Sequence, residues 1–381
     1  MQLTTVKPDR RRKNSRVEKV AIIGLGLIGG SLGLALLQGG LVGEVIGYDC
    51  DPETTRAALE CGAISQVVFD LQAAAREAEL IILAVPVGNL VQVAKDIAPA
   101  LQRGTIVTDT GSVKESIVRE LEAILQPPAF YVGGHPMAGS EKAGIRAADR
   151  YLLENAVYVL TPTPATDPQA LQQLDDLFRA VGSRVITLEP GEHDLVVAGV
   201  SHLPHLLAIT LMQTAGELAA EHPLALMLAA GGFRDTTRIA ASDPIMWRDI
   251  FLHNRTALQK MLADWRQQID IMQAMIDQND AAALEKYIRQ ARELRSQVPK
   301  RQKGLLPALH ELVVTVPDRP GIIGRLATLL GNEDINIINI EILRVREGEG
   351  GSIRLGFTTA NAAGLAREIL QRAGYKVTKY E

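Results

Sequence analysis

The stretch VAIIGLGLIGGSLGLALLQGG, residues 20–40, decides the fold. Four apolar residues, a glycine-rich turn and an apolar run with helical spacing read as strand, tight turn and helix. Gly24, Gly26 and Gly29 stand in the GxGxxG spacing of a dinucleotide-binding turn. Gly24 permits the turn, Gly26 lets backbone approach a pyrophosphate, and Gly29 lets the helix lie close to the strand. The helix start at Leu27 and Ile28 then offers N–H groups to the phosphates. The motif is weak alone, but here it has its context. The next strand, EVIGYD (44–49), ends on Asp49, about 20 residues past the last glycine. A carboxylate there accepts hydrogen bonds from both adenosine-ribose hydroxyls and repels a phosphate, so NAD is expected rather than NADP. The plainer alternative is that Asp49 only opens a turn in DCDPE.

Upstream, the basic head RRRKNSRVEK followed by an uncharged run imitates a signal peptide or anchor. Eight glycines in that run and its strand–turn–helix break argue against one. Residues 1–17 are expected to be a solvated, disordered basic tail, and no membrane partner is expected. A chain of 381 residues needs two or three domains, and 47% hydrophobic residues suffice to give each a core. A net charge of −4 argues against a dedicated nucleic-acid binder. Two cysteines, Cys50 and Cys61, make no disulfide framework and fit a reducing cytoplasm.

Downstream, LIILAVPV (80–87) is a wholly apolar strand, as a parallel sheet covered on both faces requires. TIVTDTGSVK (105–114), YVGGHPMAG, AVYVLTP and RVITLEP continue the alternation of strands with helical stretches, which means a doubly wound sheet. Ligands bind at the carboxyl ends of such strands, where Val85, Pro86, Thr110, Ser112 and His135 fall. His135 is thereby placed beside the cofactor, and its small neighbours in GGHPMAGSE are expected to let two ligands come close.

From about Gly191 the texture turns helical, with long apolar stripes. Such a block is expected to cover its stripes with a second copy, making a homodimer. SHLPH puts His202 and His205 on one helical face. Two histidines without a third ligand at a telling spacing do not make a metal site, so none is expected. They read as core, cap or substrate-facing residues. In GGFRDTTRIAASDPIMWRD (231–249), Gly231 and Gly232 permit close approach, while Arg234, Asp235, Arg238 and Asp243 interleave with Phe233, Ile239, Ile245 and Trp247. That interleaving suggests partial burial, with an arginine suited to a planar carboxylate and Asp235 placed to hold it.

After a basic linker, PKRQKG, the tail reads strand, helix, strand, strand, helix, strand, a ferredoxin-like plan. With PDRPG at its first strand–helix junction it resembles the ACT domain, a regulatory module that binds an amino acid. That resemblance makes Asp318, Gly321 and Asn336 candidates for the effector. The alternative is an ACT-like unit that only dimerises.

Together GLGLIGGSL, AVPV, DTGSVK, GGHPMAGSEKAG, SHLPH and GGFRDTTRIAASDPIMWRDI resemble the prephenate dehydrogenase family over nearly the whole chain from Val20. The fold this implies is an α/β Rossmann domain (18–190), an all-α substrate and dimerisation domain (191–300) and a C-terminal α+β ACT domain (309–381). The resemblance implies oxidative decarboxylation of prephenate to 4-hydroxyphenylpyruvate, with NAD taking a hydride. His135 is then the base that accepts the ring hydroxyl's proton, and Ser112 orients it and touches the nicotinamide. Arg238 holds the ring carboxylate, His205 lies near the substrate's side chain, and Glu141 gates the site. Asp235 and Trp247 belong to its support. Tyrosine, the pathway product, is the expected effector. Arogenate dehydrogenase, an enzyme of dual specificity, a 3-hydroxyacid dehydrogenase and a non-enzymatic NAD and amino-acid sensor are the competing readings.

Overall fold

The computed structural model describes residues 17–139, 142–298, 310–317, 319–346 and 350–379. Residues 1–16 of the expected tail, Glu141 and Asp318 lie outside them. The chain divides into two compact units, residues 1–297 and 298–381.

The first unit begins with alternating strands and helices. They are β1 (Lys19–Ile23), α1 (Leu27–Gln38), β2 (Glu44–Tyr48), α2 (Pro52–Glu60), β3 (Gln66–Val67), α3 (Leu71–Glu77) and β4 (Leu80–Leu83). Then come α4 (Leu90–Ile97), β5 (Ile106–Asp109), α5 (Glu115–Ile124), β6 (Phe130–Pro136), β7 (Val157–Thr161), α6 (Pro168–Ala180) and β8 (Arg184–Thr187). The sheet order is β3-β2-β1-β4-β5-β6-β7-β8. Its first six strands are parallel in the Rossmann order, while β7 runs antiparallel to β6 and β8 parallel to β7. Successive strand residues serve opposite faces. Ile22 and Ile82 pack with Leu32, Leu36 and Phe178 on one side, and Ile23 and Ile81 with Leu90, Val107 and Ile117 on the other. Both layers are dry, and each such side chain contributes roughly 1.5–3 kcal/mol.

Helix starts follow a local rule. Asp51-Pro52, Asp167-Pro168 and Asp243-Pro244 each set a capping carboxylate before a proline at the first helical position. The cap satisfies orphan N–H groups, and proline has none to lose.

The helical part runs α7 (Pro190–Val197), a π-helical turn (Ala198–His202), α8 (Leu203–Glu221), α9 (Gly231–Thr237) and a 3-10 turn (Arg238–Ala241). It ends with α10 (Pro244–His253), α11 (Arg255–Asp277) and α12 (Ala281–Gln297). Pro190–Glu221 is long and apolar enough to cross a bilayer by length and composition. Its polar residues His193, Asp194, His202 and His205 are nevertheless buried against the protein. Beyond that contact the helices bury little: α12 has no buried residue and α11 only Leu258.

The second unit is β9 (His310–Val316), α13 (Ile322–Gly331), β10 (Asn339–Arg346), β11 (Gly350–Phe357), α14 (Ala360–Arg372) and β12 (Lys376–Lys379). Its antiparallel sheet has the order β10-β11-β9-β12. Leu312, Val314, Leu326, Leu330, Leu355 and Leu370 form its core.

Candidate active site

The glycine turn assigns each glycine its own task. Gly24 has φ +94°, and a Cβ there would lie 2.5 Å from the Ala84 carbonyl oxygen. A Cβ on Gly29 would lie 1.9 Å from the Gly24 carbonyl oxygen. A Cβ on Gly26 would meet nothing within 4 Å, so that backbone borders open space. Helix α1 starts there with no side-chain cap and no acidic residue in its first turn, leaving the N–H groups of Leu27 and Ile28 at a positive helix end. Asp49, just past β2, accepts a hydrogen bond from the Leu25 N–H (2.8 Å) and one from the Asp51 N–H (3.0 Å). The carboxylate is thus tied to the glycine turn, beyond opening a local turn. Val85 and Pro86 follow β4, and Thr110 follows β5, its N–H bonded to the Leu83 carbonyl at 3.0 Å. A cradle that a Cβ on Gly26 would fill, an uncapped helix end and an acidic residue beyond β2 fit NAD.

The turn carries a direct test. Gly26→Ala should fold with an unchanged melting temperature yet raise the NAD dissociation constant about tenfold or more, ~1.4 kcal/mol per factor of ten. Gly29→Ala should lower the melting temperature as well, because backbone must move. Calorimetric titration and thermal unfolding of both variants separate the two effects, and equal melting losses would refute the assignment.

His135 stands near the carboxyl end of β6, half-buried. Gly133 and Gly134 before it are buried strand residues. A Cβ on Gly134 would lie 2.6 Å from the Asp109 carbonyl oxygen, and one on Gly133 2.3 Å from the Thr161 hydroxyl. These glycines let strands and side chains close up, and do not open room for ligands as expected from sequence.

The imidazole's hydrogen bond also differs from expectation. His135 Nδ1 lies 2.8 Å from His193 Nε2, and His193 Nδ1 lies 2.8 Å from Asp194 Oδ1. Ser112, on the loop after β5, is half-buried, but the bond that fixes the ring goes to His193. Asp194 further accepts from the N–H groups of Lys114 (2.7 Å) and Glu115 (2.9 Å), at the start of α5. Burial first, then His193, Lys114 and His202, hold the His135 imidazole well below the ordinary value of 6.5.

The network continues into the helices. Asn254 donates to the Asp194 carbonyl oxygen (2.9 Å) and lies 3.0 Å from His202 Nδ1. His205 stacks on Trp247 with centroids 3.5 Å apart and planes 7° off parallel, and His202 meets the same indole edge-on at 6.0 Å. Burial lowers His202 and His205 to about 4 each, so both are neutral near pH 7. The Trp247 indole N–H is buried with no hydrogen-bond partner in the structure.

The 231–249 cluster is less buried than its apolar interleaving suggests. Trp247, Phe233 and Ile239 are partly covered, but Gly231, Arg234, Asp235, Arg238, Asp243 and Ile245 are exposed. The reason is that α9 and the following turn rest on α8 alone. Arg238 opens that turn, beside the helix that carries His205. Asp243 caps α10 through the Met246 N–H at 2.7 Å.

In the second unit, Gly321 has φ +83° and opens α13. A cleft of about 400 Å³ is lined by Pro317, Arg319, Gly321, Ile323, Ile342 and Ser352, among others. Asn336 is exposed and does not line it.

Sequence reading passed over His193, Asp194 and Asn254. The only local signal was an adjacent His-Asp pair opening an apolar helix.

Comparison with known proteins agrees with this geometry. Residues 32–187 match the nucleotide-binding domain of prephenate dehydrogenase, 189–290 its dimerization domain and 310–371 the ACT domain. A prephenate dehydrogenase of Bacillus subtilis is 38% identical over 95% of this chain and 98% of its own. The crystal structure of prephenate dehydrogenase from Aquifex aeolicus, in complex with hydroxyphenyl propionate and NAD+, superposes with a TM-score of 0.72. It is 33% identical, covering 75% of this chain and all of that one. Synechocystis arogenate dehydrogenase gives 0.66 at 32% identity, covering 74% of this chain and 100% of its own. Sequence likeness over almost its full length and a matching site together show that the chain belongs to the prephenate dehydrogenase family and is an NAD-dependent oxidoreductase.

Proposed function

We propose that the chain converts prephenate to 4-hydroxyphenylpyruvate and carbon dioxide, with prephenate preferred over arogenate. The observation that carries this is a neutral, half-buried imidazole at the carboxyl edge of a sheet whose glycine turn fits NAD. When bound, NAD supplies the hydride acceptor. His135 takes the proton of the ring hydroxyl as the C–H pair leaves. The ring carboxylate departs as carbon dioxide, its bonding pair completes the aromatic ring, and the proton returns to the ring oxygen. No proton is consumed overall. Arg238 is the cation for a substrate carboxylate, and His205, held flat against Trp247, borders the side chain.

The deciding assay follows NADH and carbon dioxide together with prephenate and with arogenate. One of each per turnover, faster with prephenate and with NAD than NADP, is the expected result. A higher kcat/KM with arogenate would assign the other substrate. Arg238→Gln should chiefly raise KM. Because the imidazole is held below 6.5, kcat/KM should stay flat from pH 8 down through 6.5, its acid limb lying lower. An inflection at or above 6.5 would contradict a buried neutral base.

The exposed apolar residues Leu211 and Leu218 of α8, Ile269 and Ile276 of α11, and Ile288 and Leu294 of α12 suit a second copy of the chain, supporting a homodimer in the cytoplasm. The cleft at Gly321 supports an amino-acid effector, with tyrosine as the proposed ligand. Unchanged tyrosine inhibition after removal of the residues beyond Gly304 would move the effector to the active site.

A further inference from the structure

We infer that the buried pair His193–Asp194 is a positioning device that fixes His135 in its Nδ1–H tautomer and so leaves Nε2 as the proton acceptor. The inference rests on His135 being the base, as proposed above, and assigns to two further residues the task of making it one.

The assignment follows from donor and acceptor bookkeeping along three groups. An ionised carboxylate only accepts. Asp194 receives two backbone N–H groups, from Lys114 and Glu115, at 2.7 and 2.9 Å. The imidazole nitrogen 2.8 Å from its Oδ1 must therefore carry a hydrogen, which makes His193 Nδ1 the donor. A neutral imidazole has one N–H, so His193 Nε2 is bare and must accept. Its partner at 2.8 Å is His135 Nδ1, which then donates. The remaining nitrogen of His135 is unprotonated. His193 is fully buried and Asp194 nearly so, at 0% and 1% exposure, so water does not compete for either.

The same chain steadies the intermediate charge. When the substrate O–H breaks and an N–H forms at His135 Nε2, the imidazolium still donates through Nδ1 to His193, backed by the Asp194 carboxylate. The stored proton leaves from Nε2 to the ring oxygen after decarboxylation, so the chain ends as it began. Neither residue needs to touch substrate.

The test uses the full-length protein and three measurements. Imidazole 15N spectra with site-assigned histidines should show His135 protonated at Nδ1 near pH 8 in the parent protein. His193→Phe keeps a ring in the space but offers no acceptor. Its expected results are a mixed or Nε2-protonated His135 and a kcat lower by about 10²-fold, within the range for losing a general base, with prephenate KM within about twofold. His193→Gln places a carbonyl oxygen near the lost Nε2 and should recover most of that kcat. An Nε2-protonated His135 in the parent protein would overturn the proposal. So would a His193→Phe variant with parental tautomer and kcat, or a His193→Gln variant no better than the phenylalanine one. If His135→Asn itself kept normal turnover, the base assignment would fail instead, and the two failures are told apart by that variant.

Discussion

Replacing His135 by Asn is expected to lower kcat by about 10²–10⁴-fold, with prephenate KM nearly unchanged. Asparagine places its amide near the Nδ1 position, so it keeps a hydrogen bond toward His193 and the packing of β6 against β5 and β7. What it lacks is a basic atom at Nε2. The loss should therefore fall on the chemical step and not on binding. Steady-state rates across pH 6–9 check this, with melting temperature measured alongside. A variant within about threefold of the parent kcat would show that the ring hydroxyl's proton goes elsewhere.

Lys114→Met should cost about 3–5 kcal/mol of stability, the usual result of stripping one partner from a buried ion pair. Lys114 and Asp109 are both fully buried and pair directly, with Lys114 also donating to the Gly134 carbonyl at 2.8 Å. Asp109 accepts in addition from the Tyr131 hydroxyl and the Gly111 N–H, each at 2.7 Å. Methionine fills much of the same volume, so a cavity would contribute little. The cost would come from a carboxylate left in a dry layer with neutral donors alone. Urea unfolding gives the value from the midpoint and slope. A loss below about 1 kcal/mol would mean that the neutral donors suffice. Because Lys114 holds the carbonyl of the residue before His135, the variant should also lose turnover.

Much of the first unit was legible because its signals are local. The three glycines of the turn fall at fixed spacing, and each tolerates or refuses a Cβ as its role demands. Apolar runs such as LIIL can only be strands covered on both faces. The direction of β7 was not legible, since alternation says nothing about which way a strand runs. Nor were His193, Asp194 and Asn254. Their partners lie 58 to 80 residues away in the chain, and they are met only when α7 folds onto β6 and α5. The glycines before His135 were misread for a related reason. Small residues beside a candidate base suggest ligand room, but the same residues serve close strand packing, and only the position of Asp109 and Thr161 tells the two apart.

The π-helical turn at Ala198–His202 has a consequence for how this site tolerates change in chain length. A π turn holds one residue more than the α turn it replaces. Losing a single residue there, at the exposed Val200 for instance, would satisfy the backbone as a plain α-helix. It would also swing every side chain from Leu203 onward through about 100°. His205 would leave the face of Trp247, and His202 would leave Asn254. Insertions and deletions are thus policed at this one surface position by an interior that the missing residue never touches.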